Sequence, residues 1–256
     1  MTDATVFRVE SSGDDYWSNA RRPFTSLLFL APLLVAYEMG IRWYGGVEAE
    51  HLRNGADYWM REWLQNAGLQ HPMLLPGLIV AGLIAWQIWG RFSWRVSPDT
   101  LVGMLAESLL FAFCLVALGQ LQDLLFQHFE GMAALSTGGF NAAEFWGRCV
   151  SFIGAGVYEE VLFRLCLIPI CYLVLRAVLL PRNWAIAGAV VATSVIFASA
   201  HYIGPAADQF TWFSFTFRAL AGLFFAVLFA LRGFGITVGC HAAYDVLVGL
   251  LLHPQY

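Results

Sequence analysis

Six residues in the C-terminal half of the chain have the types and spacing to carry out hydrolysis: Glu159, Glu160, Arg164, His201, His241 and Asp245. The first three lie in an almost unbroken apolar run from about Phe145 to Leu180, where each charge at a bilayer centre costs about 2.5–3.5 kcal/mol on insertion scales. On a helix Glu160 and Arg164 are four apart and share a face, whereas Glu159 points about 100° away. Glu160 is therefore expected to be paired and Glu159 left free to act. His201 stands near the end of the next apolar run, four after Phe197, and His241 and Asp245 stand four apart in the last. A carboxylate in apolar surroundings can serve as a general base that takes a proton from water and returns it to a leaving amine. Two imidazoles can steady that water or the oxyanion, and Asp245 is expected to hold His241 in one tautomer. The plainer alternatives are a buried ion pair that fixes helix packing and a hydrogen-bonded interfacial histidine. Intramembrane ionisable residues are nevertheless functional candidates by default.

The elements that must position these residues are membrane helices. With 59% apolar and 12% charged residues, the composition lies outside the soluble globular range and implies an all-α, polytopic transmembrane helix bundle. Apolar runs suited to spans occur at about Phe24–Gly40, Met73–Gly90, Leu101–Phe126, Phe145–Leu180, Trp184–Ile203, Phe210–Leu231 and Ile236–Leu252. The count is seven, or eight if the long fourth run breaks near Pro169. The short-loop arginines favour a cytoplasmic N-terminus, and the first 22 residues lack the pattern of a cleaved signal peptide. Nine tryptophans near the predicted ends fit an interfacial belt. Gly154, Gly156, Gly188, Gly222 and Gly239 read as close helix contacts.

All fourteen basic residues are Arg, and the net charge is −4. With no basic stripe, nucleic acid is not an expected partner. The five cysteines show no C-x-x-C spacing and read as buried small apolar residues. His51, His71, His128 and His253 fall in loops or near the terminus. Counting along each predicted span at about 1.5 Å per residue puts His241 about 14 Å deep and His201 about 27 Å. They meet only if the helices are staggered.

The motifs E-E-x-x-x-R at Glu159-Glu160-Arg164, F-x-x-x-H at Phe197-His201 and H-x-x-x-D at His241-Asp245, in this order on apolar runs, resemble the CPBP family of intramembrane proteases. That family includes CAAX prenyl endopeptidases and bacteriocin-processing or self-immunity proteins. The resemblance spans about Phe145–Leu252 and divides the chain into a polar cytoplasmic tail (1–23), N-terminal transmembrane helices (24–143) and a CPBP-like catalytic core (144–256). It implies that Glu159 is the catalytic glutamate, Glu160 and Arg164 its supporting pair, and His201, His241 and Asp245 the other polar members of the site. Asp245 stands where many relatives have Asn. The expected activity is glutamic-type hydrolysis of a peptide bond in a membrane-associated protein or peptide.

No cofactor is expected. Zinc is the alternative, since two His and a carboxylate form a plausible site, but neither His has the i, i+4 His partner of prebuilt helical zinc sites, and both Glu lie on a different helix. The lipid bilayer is the expected surroundings, and the Lys-free composition points to a bacterial inner membrane. The rival function is a transporter or immunity/scaffold protein that uses the same charges for a proton relay or for partner binding.

Overall fold

The computed structural model describes residues 16–44, 52–127, 142–204 and 207–252. The first fifteen residues of the polar tail lie outside the described residues, as do His51, His128 and His253. The regular elements are all helical: α1 (Tyr16–Ala20), α2 (Pro23–Tyr44), α3 (Gly55–Asn66), α4 (Leu74–Trp89), α5 (Pro98–Gln127), α6 (Ala142–Glu160), α7 (Ile168–Ala177), α8 (Arg182–Ala200), α9 (Trp212–Arg232) and α10 (Phe234–Val246). Each expected apolar run coincides with one helix, or in the fourth case with one continuous helical stretch. The helix starts have local causes. Pro23 and Pro98 open α2 and α5, where a missing N–H costs nothing. The Asn54 side chain accepts from Asp57 N at the head of α3, and Thr211 does the same for Ser214 N on α9.

The bundle exterior is apolar. Leu109, Phe113, Leu121 and Leu124 of α5 are exposed, and α7 has no buried residue. Such a surface belongs in lipid, and the protein is an integral membrane protein. Among the described residues, α2, Pro98–Phe126, α8 and α9 are each long and apolar enough to cross a bilayer alone, while Leu74–Trp89 and Phe234–Leu250 are shorter apolar helices.

The fourth run does not break at Pro169. The chain stays helical from Ala142 to Ala177 through a π-helical segment at Val161–Leu167, where the N–H of Ile168 reaches the Phe163 carbonyl five residues back. The wider turn accommodates the proline that directly follows it. A second π segment, Leu247–Leu252, continues α10.

α10 is the axis of the bundle. Every residue from Phe234 to Ala242 is buried, enclosed by α2, α5, α6 and α9. Two glycines make this placement feasible. Gly233 turns the chain out of α9 at φ 88°, a conformation that strains other residues. At Gly156 a Cβ would lie 2.6 Å from the Ala242 backbone nitrogen, so α6 and α10 touch backbone to backbone. The other expected close contacts also form, Gly154 against Tyr37, Gly188 against Leu175, Gly222 against Ser194 and Gly239 against Ser108. The cysteines differ from expectation. All five are free and only Cys240 is buried, Cys114 and Cys166 being exposed, because a lipid-facing surface accepts small apolar side chains as readily as a core does.

A buried charge network ties α3 to α2 and α6. Arg61 donates to Asp57 at 2.6 Å and to Glu38 at 2.8 Å. Arg53 and Tyr37 each donate to the other Asp57 oxygen at 2.7 Å, and Tyr158 donates to Glu38 at 2.5 Å. Burial, the largest single influence, works against the charged forms of Arg53 and Arg61, but the Asp57 and Glu38 carboxylates are among the neighbours that together outweigh it and hold both guanidiniums above their ordinary pKa.

Candidate active site

Three helix segments bring the expected residues together. The α7–α8 turn forms an antiparallel hairpin. Glu159 lies about 18 positions before its α7 end and His201 about 19 after its α8 start, so both stand about 27–29 Å from the turn. α10 begins much closer to that level, and His241 is reached only two helical turns after Gly233. The stagger that the depth count demanded is therefore present: α10 starts inside the bundle, and the two imidazoles reach the same carboxylate.

Glu159 Oε2 lies 3.9 Å from His201 Nε2 and 3.8 Å from His241 Nε2. This oxygen is buried and has no hydrogen-bond partner. Its neighbour Glu160 is fully engaged. One oxygen accepts from His241 Nδ1 at 2.8 Å, and the other faces Arg164 Nε at 3.0 Å. The Arg164 contact is a charge pairing off the hydrogen-bond axis, since neither atom has a hydrogen-bond partner of good geometry. Arg164 also donates to the Gly222 carbonyl at 3.2 Å. Its guanidinium lies over Phe197 at 4.9 Å and Phe225 at 5.4 Å, where aromatic faces stabilise a desolvated cation. Glu160 pairs with Arg164 as expected, and Glu159 Oε2 accepts no hydrogen bond.

The histidines are held on their far sides. His201 Nδ1 lies 2.8 Å from the Phe197 carbonyl. That nitrogen carries the proton, and in the neutral ring Nε2 offers a lone pair toward Glu159. His241 stacks on Phe225 with centroids 4.5 Å apart and gives its Nδ1 proton to Glu160. Asp245 departs from expectation here. It stands 3.5 Å from His241 Nε2, on the same side as Glu159, so Glu160 rather than Asp245 is the carboxylate that orients the ring. The i, i+4 rule placed Asp245 on the right face of the helix but could not say which ring nitrogen it would meet.

Sequence reasoning missed Phe225, which carries no signal of its own. It also missed Arg218 and Glu38, which do, each being a charge inside an apolar run. Among the described residues no group of three His, Cys, Asp or Glu side chains is spaced to share a metal ion.

Residues 141–247 match the family model of type II CAAX prenyl endopeptidases, Rce1-like. The match supports a likeness of this segment to the CPBP family of CAAX-type proteases. The match takes in α6 through the end of α10 and contains all six site residues, while α1 to α5 lie outside it. No curated protein and no solved structure matches the chain significantly.

Proposed function

We propose that the protein is an intramembrane endopeptidase that hydrolyses a peptide bond of a membrane-associated protein or peptide by a metal-free, glutamic-type mechanism. One observation carries the reading: Glu159 Oε2, buried and without a hydrogen-bond partner, faces the Nε2 atoms of both histidines at 3.8–3.9 Å. One water bridges separations of that size with ordinary hydrogen bonds. Glu159 takes a proton from this water, and the hydroxide adds to the scissile carbonyl carbon. His241, doubly protonated, gives one N–H to Glu160 and the other to the oxyanion, while His201 steadies the attacking oxygen. The proton on Glu159 passes to the leaving nitrogen as the C–N bond breaks, giving a free amine and a carboxylic acid. Glu160 and Arg164 act through His241 and are positioning residues.

A proton relay needs a chain of carboxylates and histidines, whereas here both rings converge on one oxygen. That favours the peptidase over the transporter. The test is cleavage by purified protein in detergent or liposomes, with Glu159→Ala expected to fold and to be inactive. Cleavage at the wild-type rate by that variant would remove Glu159 from the mechanism. Activity is expected to survive strong chelators, with no stoichiometric zinc on elemental analysis. Zinc lost together with activity in His241→Ala would replace this mechanism with a metal-assisted one. A bacterial inner membrane and a cytoplasmic N-terminus belong to the same proposal, and a terminal reporter fusion tests the orientation.

A further inference from the structure

A cation beside the candidate site is unaccounted for by that mechanism. Arg218 lies on α9 one turn before Gly222, the residue whose carbonyl receives Arg164. Its neighbour Phe217 stacks on Tyr244 of α10 at 5.9 Å, and Tyr244 directly precedes Asp245. The guanidinium lies over the ring of Tyr202 at 5.2 Å, and Tyr202 directly follows His201. Tyr202 is itself fixed, its hydroxyl 2.6 Å from Ser214 Oγ. One terminal nitrogen of Arg218, Nη2, donates to Asp208. The other, Nη1, is buried without a hydrogen-bond partner. The Arg218 side chain is 23% exposed and that of Asp208 55%, so the acidic partner is the more exposed of the two.

We infer that Arg218 is a specificity residue that binds a carboxylate of the substrate a few residues from the scissile bond. This inference rests on the peptidase reading above. The guanidinium fork is always charged and matches a carboxylate with two parallel bonds. A flat aromatic ring holds it in place, so little rotamer freedom is lost on binding. An exposed ion pair is weakly held, and Asp208 therefore serves as a stand-in that the substrate carboxylate displaces while also meeting Nη1. The carboxylate is either the C-terminus of the substrate or an Asp or Glu side chain.

The test uses full-length protein in liposomes and randomised peptides bearing an N-terminal acyl anchor. The peptides are prepared as free acids and as C-terminal amides, each with and without Asp and Glu, and products are read by mass spectrometry. Wild type is expected to cleave carboxylate-bearing peptides at least about tenfold better than carboxylate-free ones, with the difference in KM. The free-acid and side-chain arms tell which carboxylate is read. In Arg218→Gln the ratio falls toward one. In Asp208→Asn, which frees the fork, it rises. Arg218→Lys keeps the charge and loses the fork, and its intermediate ratio decides the matter if the Gln variant does not accumulate. A wild-type enzyme indifferent to carboxylates would overturn the inference alone. So would equal losses on all peptides in Arg218→Gln and Asp208→Asn with a lowered melting temperature, since the pair would then only hold the loop. Absence of any cleavage that Glu159→Ala abolishes would remove the peptidase reading, and the inference with it.

Discussion

Two buried clusters of charge meet on one helix and differ in a single respect. Tyr158 faces Glu38, Arg61, Asp57 and Arg53, a network in which each carboxylate accepts from two or more donors. The next residue, Glu159, faces His201 and His241 in a cluster where its Oε2 accepts no hydrogen bond. Both clusters carry the desolvation cost of charge. The closed one returns it as rigidity, docking α3 on α2 and α6. The open one retains an unsatisfied acceptor, which raises the energy of the resting protein and gives a substrate or water something to bind.

The sharpest way to break this contrast is at the open position. Glu159→Gln is expected to lower peptidase activity about 10²–10⁴-fold, the usual share of a general base, yet to melt in detergent no lower than wild type, because it removes a desolvated carboxylate oxygen that accepts no hydrogen bond. A large fall in melting temperature would mean that Glu159 is structural. Arg164→Ala leaves Glu160 buried without its counter-charge and is expected to destabilise the fold by about 3–5 kcal/mol, seen as low yield and early melting. Unchanged melting would show that the pair does not form. In the closed cluster Arg61→Ala is expected to cost about 3 kcal/mol, less than the full penalty because Asp57 keeps Arg53 and Tyr37 and Glu38 keeps Tyr158. Its activity should follow the folded fraction. The smallest effect is at Tyr158→Phe, about 1 kcal/mol for one hydrogen bond, with catalysis per folded molecule unaltered. A loss of catalysis without a loss of stability there would mean that the two clusters communicate.

The contrast also marks what a sequence can disclose. Hydropathy locates the long apolar helices among the described residues because lipid demands long apolar runs, and the i, i+4 rule pairs Glu160 with Arg164 because that contact lies within one helix. Contacts between helices are another matter. Depth along a helix can be counted, but not the offset of one helix against the next, which here depends on Gly233 and on the backbone contact at Gly156. That offset decides that His201 and His241 meet and that Glu160, not Asp245, takes His241 Nδ1. The Glu38–Arg61 pair joins residues 23 positions apart on different helices, so no local spacing announces it, although a charge in an apolar run does. Pro169 leaves a break in the fourth run open at the level of sequence because proline interrupts α-helices, and the π turn before it removes the conflict.

The enclosure of α10 has a consequence for how the protein is made. A chain is synthesised from its N-terminus at about 5–20 residues per second, so α2, α5 and α6 are made well before the segment they surround, and α9 just before it. Until Phe234–Ala242 arrives, Glu160 lacks its imidazole partner and Glu159 faces one histidine instead of two. On the proposed mechanism, biogenesis is thereby coupled to activation: the site is complete only once the innermost helix docks.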